Sequence, residues 1–129
     1  MNENQIAKDV VDAAVKVHAK LGPGLLESVY EAVLAREIER RGWHVERQVP
    51  IPITYDGLRF DEGFRADILV DGKVILELKS VEQLAKVHFK QLTTYLKLAD
   101  KRLGIILNFG ADLMKEGIKR IANGIEDTP

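Results

Sequence analysis

The chain has 129 residues, of which 46% are hydrophobic and 30% charged, with a formal net charge of -1; this is the size of one compact domain, 1–129, with enough apolar surface for a core. The lack of cysteine excludes disulfides, a thiol nucleophile and thiolate zinc sites. The balanced charge excludes a protein that grips phosphates through a general cationic excess, so any nucleic-acid contact must rest on local clusters or on a bound cation.

Met1 to Asn4 lack the basic-then-apolar order of a signal peptide, and the apolar runs fall far short of a membrane span. A soluble, cytoplasmic chain without membrane contact is expected. Ile6, Val10, Ala13, Ala14, Val17 and Leu21 recur at helical spacing and predict a first helix, stopped at Gly22-Pro23. A second helix is expected over about 25–41, with Leu26, Val29, Tyr30, Val33, Leu34 and Ile38 inward and Gly42 closing it. Trp43, Val45, Val49, Ile51, Ile53 and Tyr55 then alternate with more polar positions, which predicts a strand ended by an Asp56-Gly57 turn. Pro50 and Pro52 remove two ladder donors, so this strand should have an exposed or bulged edge.

Further strands are expected over 64–70 and 73–79, on either side of Asp71-Gly72. Ser80-Val81-Glu82-Gln83 has the form of a capping box and predicts a third helix running to about residue 99. The Ile-rich run 103–109 reads as a buried strand, and strand, helix, strand in that order predicts a parallel pair. The tail 113–121 is either a hairpin around Glu116-Gly117 or a short helix. The order ααβββαβ predicts an α/β fold with a central mixed four-stranded sheet flanked by helices.

The chemistry concentrates in Phe64-Arg65-Ala66-Asp67-Ile68-Leu69-Val70 and Lys73-Val74-Ile75-Leu76-Glu77-Leu78-Lys79, where charges interrupt apolar strands. Charged groups in such strands are costly unless paired or metal-bound. Phe64, Ala66, Ile68 and Val70 are expected on one face, opposite Val74, Leu76 and Leu78; burying both even-numbered sets together requires paired numbers with an even sum. Asp67, Glu77 and Lys79 then share the other face. A two-residue turn pairing Val70 with Lys73 would split the sets, so one extra residue is expected, as in a type I turn with Gly72 at a left-handed bulge position. On that register Asp67 and Glu77 can chelate a hard divalent cation such as Mg²⁺, and Lys79 can stabilise developing charge. A cross-strand salt-bridge cluster, with Lys79 neutralising two acids, is the alternative from the residues alone.

Asp67 with Glu77-Leu78-Lys79 resembles the signature of the PD-(D/E)XK nuclease superfamily, and the element order is similar to that superfamily's restriction-endonuclease-like core. Gly24-Leu25-Leu26-Glu27-Ser28-Val29-Tyr30 matches the GxxExxY motif that names a family of small proteins within it. The likeness extends from about Val10 through Arg120 and includes Gln91-Leu92-Thr93-Thr94-Tyr95 and Leu107-Asn108-Phe109-Gly110. Ala66 stands where the motif has Pro. The resemblance implies metal-dependent phosphodiester cleavage, with Mg²⁺ or Mn²⁺ held by Asp67, Glu77, the backbone carbonyl of Leu78 and Glu27, and with Lys79 assisting the attacking water. Gln91 and Tyr95 resemble the QxxxY motif of RecB-type and phage lambda-type exonucleases.

Each residue also has a plainer reading. Glu27 suits the first turn of a helix, where the dipole favours a carboxylate. Tyr30 fits a packed core position with its hydroxyl bonded near the site. Leu84, His88, Gln91 and Tyr95 fall on one face of the third helix, where Gln91 either orients Lys79 or a phosphate, or satisfies loose backbone groups. Lys86, Lys90 and Lys97 form a solvated stripe that, with Arg65, also offers contacts to a nucleic-acid backbone. The expected function is a nuclease acting on nucleic acid, DNA before RNA, with a homodimer or a larger protein partner completing its binding surface. The alternative is a nucleic-acid-binding or assembly module that keeps the fold without efficient catalysis.

Overall fold

The computed structural model describes residues 2–124. Two helices, α1 (Glu3–Leu21) and α2 (Glu27–Arg40), precede β1 (Val45–Tyr55), β2 (Leu58–Val70) and β3 (Val74–Lys79). Then come α3 (Lys86–Ala99), β4 (Leu103–Asn108), a 3-10 turn (Met114–Gly117) and β5 (Ile118–Ala122). The strands form one sheet in chain order, antiparallel throughout except for the parallel β3–β4 pair that α3 connects. Helices α1 and α2 pack on one face and α3 on the other, each over its own apolar cluster. This is the expected restriction-endonuclease-like α/β core, with five strands in place of four. The tail takes the short-helix reading, as a single 3-10 turn, and the strand after it pairs with β4, so the hairpin expected around Glu116-Gly117 does not form. Gly117 lets the chain turn close to β4, since a Cβ there would lie 2.3 Å from the Asn108 carbonyl oxygen. Among the described residues no helix is long and apolar enough to cross a membrane.

Helix α1 follows its apolar spacing and ends at Gly22, whose φ of 73° suits glycine and whose N–H donates to the His18 carbonyl at 2.8 Å. Helix α2 starts later than expected. Leu26 is its extended N-cap and is 75% exposed, and Val29 is also exposed, so Tyr30, Leu34 and Ile38 carry the buried stripe with Ala35. The cause is the Tyr30 hydroxyl, which donates to the Gly22 carbonyl at 2.5 Å and accepts from the Leu25 N–H at 3.0 Å. That folds residues 22–25 over the helix start and keeps Leu25 out of it.

Helix α3 also starts late, and the Ser80 capping box does not form. Ser80 Oγ donates to the Leu25 carbonyl at 2.8 Å, while both backbone groups of Val81 are bound by the Asn108 side chain. With those groups committed elsewhere the helix begins at Lys86, and His88 Nδ1 accepts from the Ala85 N–H at 3.0 Å. Its buried stripe is Leu92 and Leu96 rather than the Leu84, His88, Gln91 and Tyr95 row; Leu84 precedes the helix and Gln91 is exposed.

β1 is an edge strand with a register shift between Ile51 and Ile53, at the Pro50 and Pro52 stretch, as two missing donors require. β2 begins at Leu58, earlier than the apolar run suggests. Its pairing with β3 has the even sum expected: Val70 with Val74, Leu69 with Ile75, Ile68 with Leu76. The turn differs from the expected type I form. Asp71 and Gly72 both have positive φ, 53° and 66°, the Lys73 N–H donates to the Val70 carbonyl at 2.9 Å, and Lys73 is the extra residue. One further expectation needs correcting. Ile68 and Val70 pack towards α1 and α2, but Phe64 and Ala66 pack towards α3, so β2 exchanges faces at Asp67. Its partner β1 exchanges faces at the same level, where Gln48 has a φ of 52°.

Candidate functional site

The pair after Ile68 and Leu76 in the β2–β3 register is Asp67 and Glu77, and here the ladder changes character. The Leu78 N–H donates to Asp67 Oδ2 at 2.8 Å, and the Asp67 N–H donates to Glu77 Oε2 at 3.2 Å. Each carboxylate thus reaches across to the other strand. Ile75 belongs to the α3-facing cluster, whereas Val74, Leu76 and Leu78 belong to the opposite one. Alternation therefore puts Glu77 and Lys79 on the α3 face. Glu77 is only 8% exposed; Asp67 and Lys79 are half-buried.

Burial pushes the Glu77 carboxyl up to about 8, the Asp67 charge adding to the rise and Lys79 opposing it. Asp67 is also raised, first by burial; the Leu78 amide and Lys79 pull it down, and Glu31 and Glu27 push it up. Tyr95 is raised by burial and then by the charges of Glu77 and Asp67, which puts its hydroxyl within electrostatic range of both acids. Among the described residues Lys79 forms no ion pair, so the salt-bridge cluster is not what is built. The Asp67 charge disfavours ionisation of Glu77, beside one ammonium that pairs with neither acid.

The surroundings bring other expected residues near this pair. Glu27 is exposed on the first turn of α2, and its charge is felt by both acids. The Tyr30 hydroxyl and Ser80 fix the loop before it, and Tyr30 is itself anchored by stacking on Phe109 at 4.4 Å. An open cavity of about 540 Å³ lies there, lined by Gly24, Leu25, Leu26, Glu27, Ser28 and Ser80. Tyr95 stacks on Phe64 at 3.9 Å, and Gln91 lies one helical turn before it, exposed. Lys86 and Lys90 are exposed on α3. Arg65 is exposed but held by Glu62 through two bonds of 3.0 and 2.5 Å, which also raise its affinity for its proton.

Two residues escaped the sequence reading. Glu31, one helical turn after Glu27, is buried and accepts from Arg47 Nε at 3.0 Å and Gln48 Nε2 at 2.6 Å. The only signal for it was its spacing of four from Glu27. Asn108 is buried and clamps the chain beyond Lys79, accepting from the N–H groups of Val81 and Gly110 at 3.0 Å and donating to the Val81 carbonyl at 2.9 Å. Its place in the Asn-Phe-Gly run was a signal without an evident role.

Among the described residues no three His, Asp or Glu side chains converge as a ready-made metal cage. The donor set nevertheless fits a hard divalent cation. Two carboxylates are fixed side by side by bonds across the strands, burial of both and the Asp67 charge on Glu77 favour a bound proton, and a cation in the proton's place would satisfy both. The model of the PD-(D/E)XK nuclease superfamily matches residues 4–121 of the chain. No curated protein and no solved structure matches it.

Proposed function

The chain belongs to the PD-(D/E)XK nuclease superfamily, and from that membership and the acidic pair we propose that it hydrolyses phosphodiester bonds in nucleic acid with a divalent cation, Mg²⁺ or Mn²⁺. Asp67, Glu77 and the Leu78 carbonyl would hold the cation, with Glu27 approaching from α2 as a further ligand, directly or through water. Bound there, the cation supplies Lewis-acid charge at the phosphate and a nucleophilic water at neutral pH.

The observation that carries this reading is the buried Asp67–Glu77 pair, each carboxylate held by a backbone N–H of the facing strand, beside a Lys79 that forms no ion pair among the described residues. The Lys79 ammonium is available to stabilise charge that develops at the scissile phosphate. Gln91, on the helix that packs over this face, would orient Lys79 or a phosphate, and Tyr95 would contact the nucleic acid. Lys86 and Lys90 offer contacts to the phosphate backbone on the same helix, while Arg65 must leave Glu62 to do so. DNA is the first substrate to test and RNA the second. A second copy of the chain or a larger partner would extend a binding surface that 129 residues can supply only in part.

The test is a gel assay of purified protein on linear, nicked and single-stranded DNA and on RNA, with Mg²⁺ or Mn²⁺ against EDTA, beside the Glu77→Gln variant. Cleavage that needs both metal and Glu77 is the expected result. Metal-independent binding without cleavage of any substrate would establish the binding-module alternative instead.

A further inference from the structure

Glu31 is a buried carboxylate outside the proposed ligand set, and both of its oxygens are committed to β1, one to Arg47 and one to Gln48. Gln48 holds a left-handed backbone, φ 52°, in the middle of a strand, a conformation that side chains other than glycine and asparagine seldom adopt there. It sits opposite Asp67, between the pairs Arg47 with Ile68 and Val49 with Ala66.

This is the level at which both strands exchange faces. Val45 packs with the α1–α2 cluster, whereas Val49 and Ile53, at the same parity, pack with the α3 cluster. Ile68 and Ala66 divide in the same way across Asp67. It is also where the β2–β3 ladder gives way to the carboxylate–amide bonds of Asp67 and Glu77.

We propose that Glu31 is a positioning residue: by gripping Gln48 and Arg47 it holds the left-handed kink in β1 that lets β2 change faces at Asp67 and aim that carboxylate at the Leu78 amide beside Glu77. Glu31 does not touch the cation or the substrate in this role. Its charge also adds to the rise at Asp67, which places the two groups close together. The proposal rests on the metal-binding reading of the pair, but the arrangement it explains exists in the metal-free protein.

The role separates from ordinary stabilisation because glycine takes a left-handed φ without a side chain to hold it there. The experiment measures hydrogen exchange of the Leu78 and Asp67 amides in metal-free protein, and then Mn²⁺ affinity by calorimetry. Glu31→Ala should lower Leu78 protection and weaken Mn²⁺ binding, each roughly 10-fold or more, the scale seen when the support of a metal ligand is removed. Gln48→Val, with Glu31 intact, should do the same, because a β-branched residue resists the left-handed region; it serves if Glu31→Ala does not fold. Gln48→Gly should behave as wild type, and the double variant Glu31→Ala/Gln48→Gly should regain most of what Glu31→Ala loses. Wild-type protection in Glu31→Ala, or a double variant no better than Glu31→Ala, would overturn the proposal. If the wild type binds no Mn²⁺, the metal-centre reading fails, and the exchange series still decides the role of Glu31.

Discussion

Replacing Glu77 with Gln keeps the side chain's shape and its bond from the Asp67 N–H, and removes the one charge that the interior resists most. In the folded protein this carboxyl is pushed from the usual 4.5 to about 8. The folded value lies above the unfolded one, so ionisation of the unfolded chain works against folding. The penalty is absent well below pH 4.5, grows as pH rises from there through 8, and is constant above. At about 1.36 kcal/mol per pH unit the full penalty is about 5 kcal/mol, and proton sharing with Asp67 reduces it to roughly 3–5 kcal/mol. For a chain of this size that is roughly 10–20 °C in melting temperature. Metal-free wild type should therefore lose stability steadily from pH 5 to 8 and level off above. Glu77→Gln should lose little over that range and should exceed wild type at pH 8 and above.

The same linkage fixes the metal response. On the proposed reading a cation would bind the ionised pair and compete with its proton, so Mn²⁺ affinity should fall about tenfold for each pH unit below 8. The rise in melting temperature at a fixed Mn²⁺ concentration should be large at pH 8, small at pH 6 and absent in Glu77→Gln. The charges of Asp67, Lys79 and Glu27 act on this group and its own charge acts on Tyr95, and only Glu77 is altered in the comparison. Differential scanning fluorimetry across pH, in EDTA and in Mn²⁺, reads both effects. Parallel stability curves for the two proteins, or an equal response to Mn²⁺, would refute the assignment of Glu77 as the strained ligand.

Lys79→Ala should slow cleavage by roughly two orders of magnitude while substrate affinity, measured in Ca²⁺, changes only severalfold; equal losses in both would make Lys79 a binding residue. Lys86→Ala with Lys90→Ala should do the opposite, weakening binding and flattening its salt dependence by about one to two in slope, with single-turnover rate preserved. Asn108→Ala leaves three backbone groups without partners and should cost about 3 kcal/mol in urea denaturation; a loss below about 0.5 kcal/mol would show that water replaces the clamp.

The elements with a clean period were legible from sequence. Helix α1 buries one helical face, and β3 and β4 are apolar runs buried on both faces of the sheet. The boundaries that moved were those set by side chains from elsewhere in the chain. Helix α2 starts at Glu27 because Tyr30 folds the preceding loop back, and α3 starts at Lys86 because Asn108, 27 residues beyond Val81, binds that backbone first. A capping box read from Ser80 and Gln83 is a local signal, and here a nonlocal bond replaces it. β5 lay in a short mixed segment whose pairing only β4 could decide.

The candidate site divides along the same line. Asp67, Glu77 and Lys79 were readable because charge in an apolar strand is conspicuous, and parity alone gave their shared register. That parity argument reached the right register although it took Phe64, Ala66, Ile68 and Val70 as one face, since β2–β3 pairing depends only on Ile68, Leu69 and Val70. What it could not contain was the exchange of faces at Asp67. Nothing in Arg47-Gln48 announces a left-handed backbone, because glutamine adopts one only where something holds it. The holder, Glu31, looks on a helix like any solvated acid until β1 is laid beside it. A charge set in an apolar strand is legible from that strand; a charge bonded to a neighbouring strand is legible only from the contact it makes.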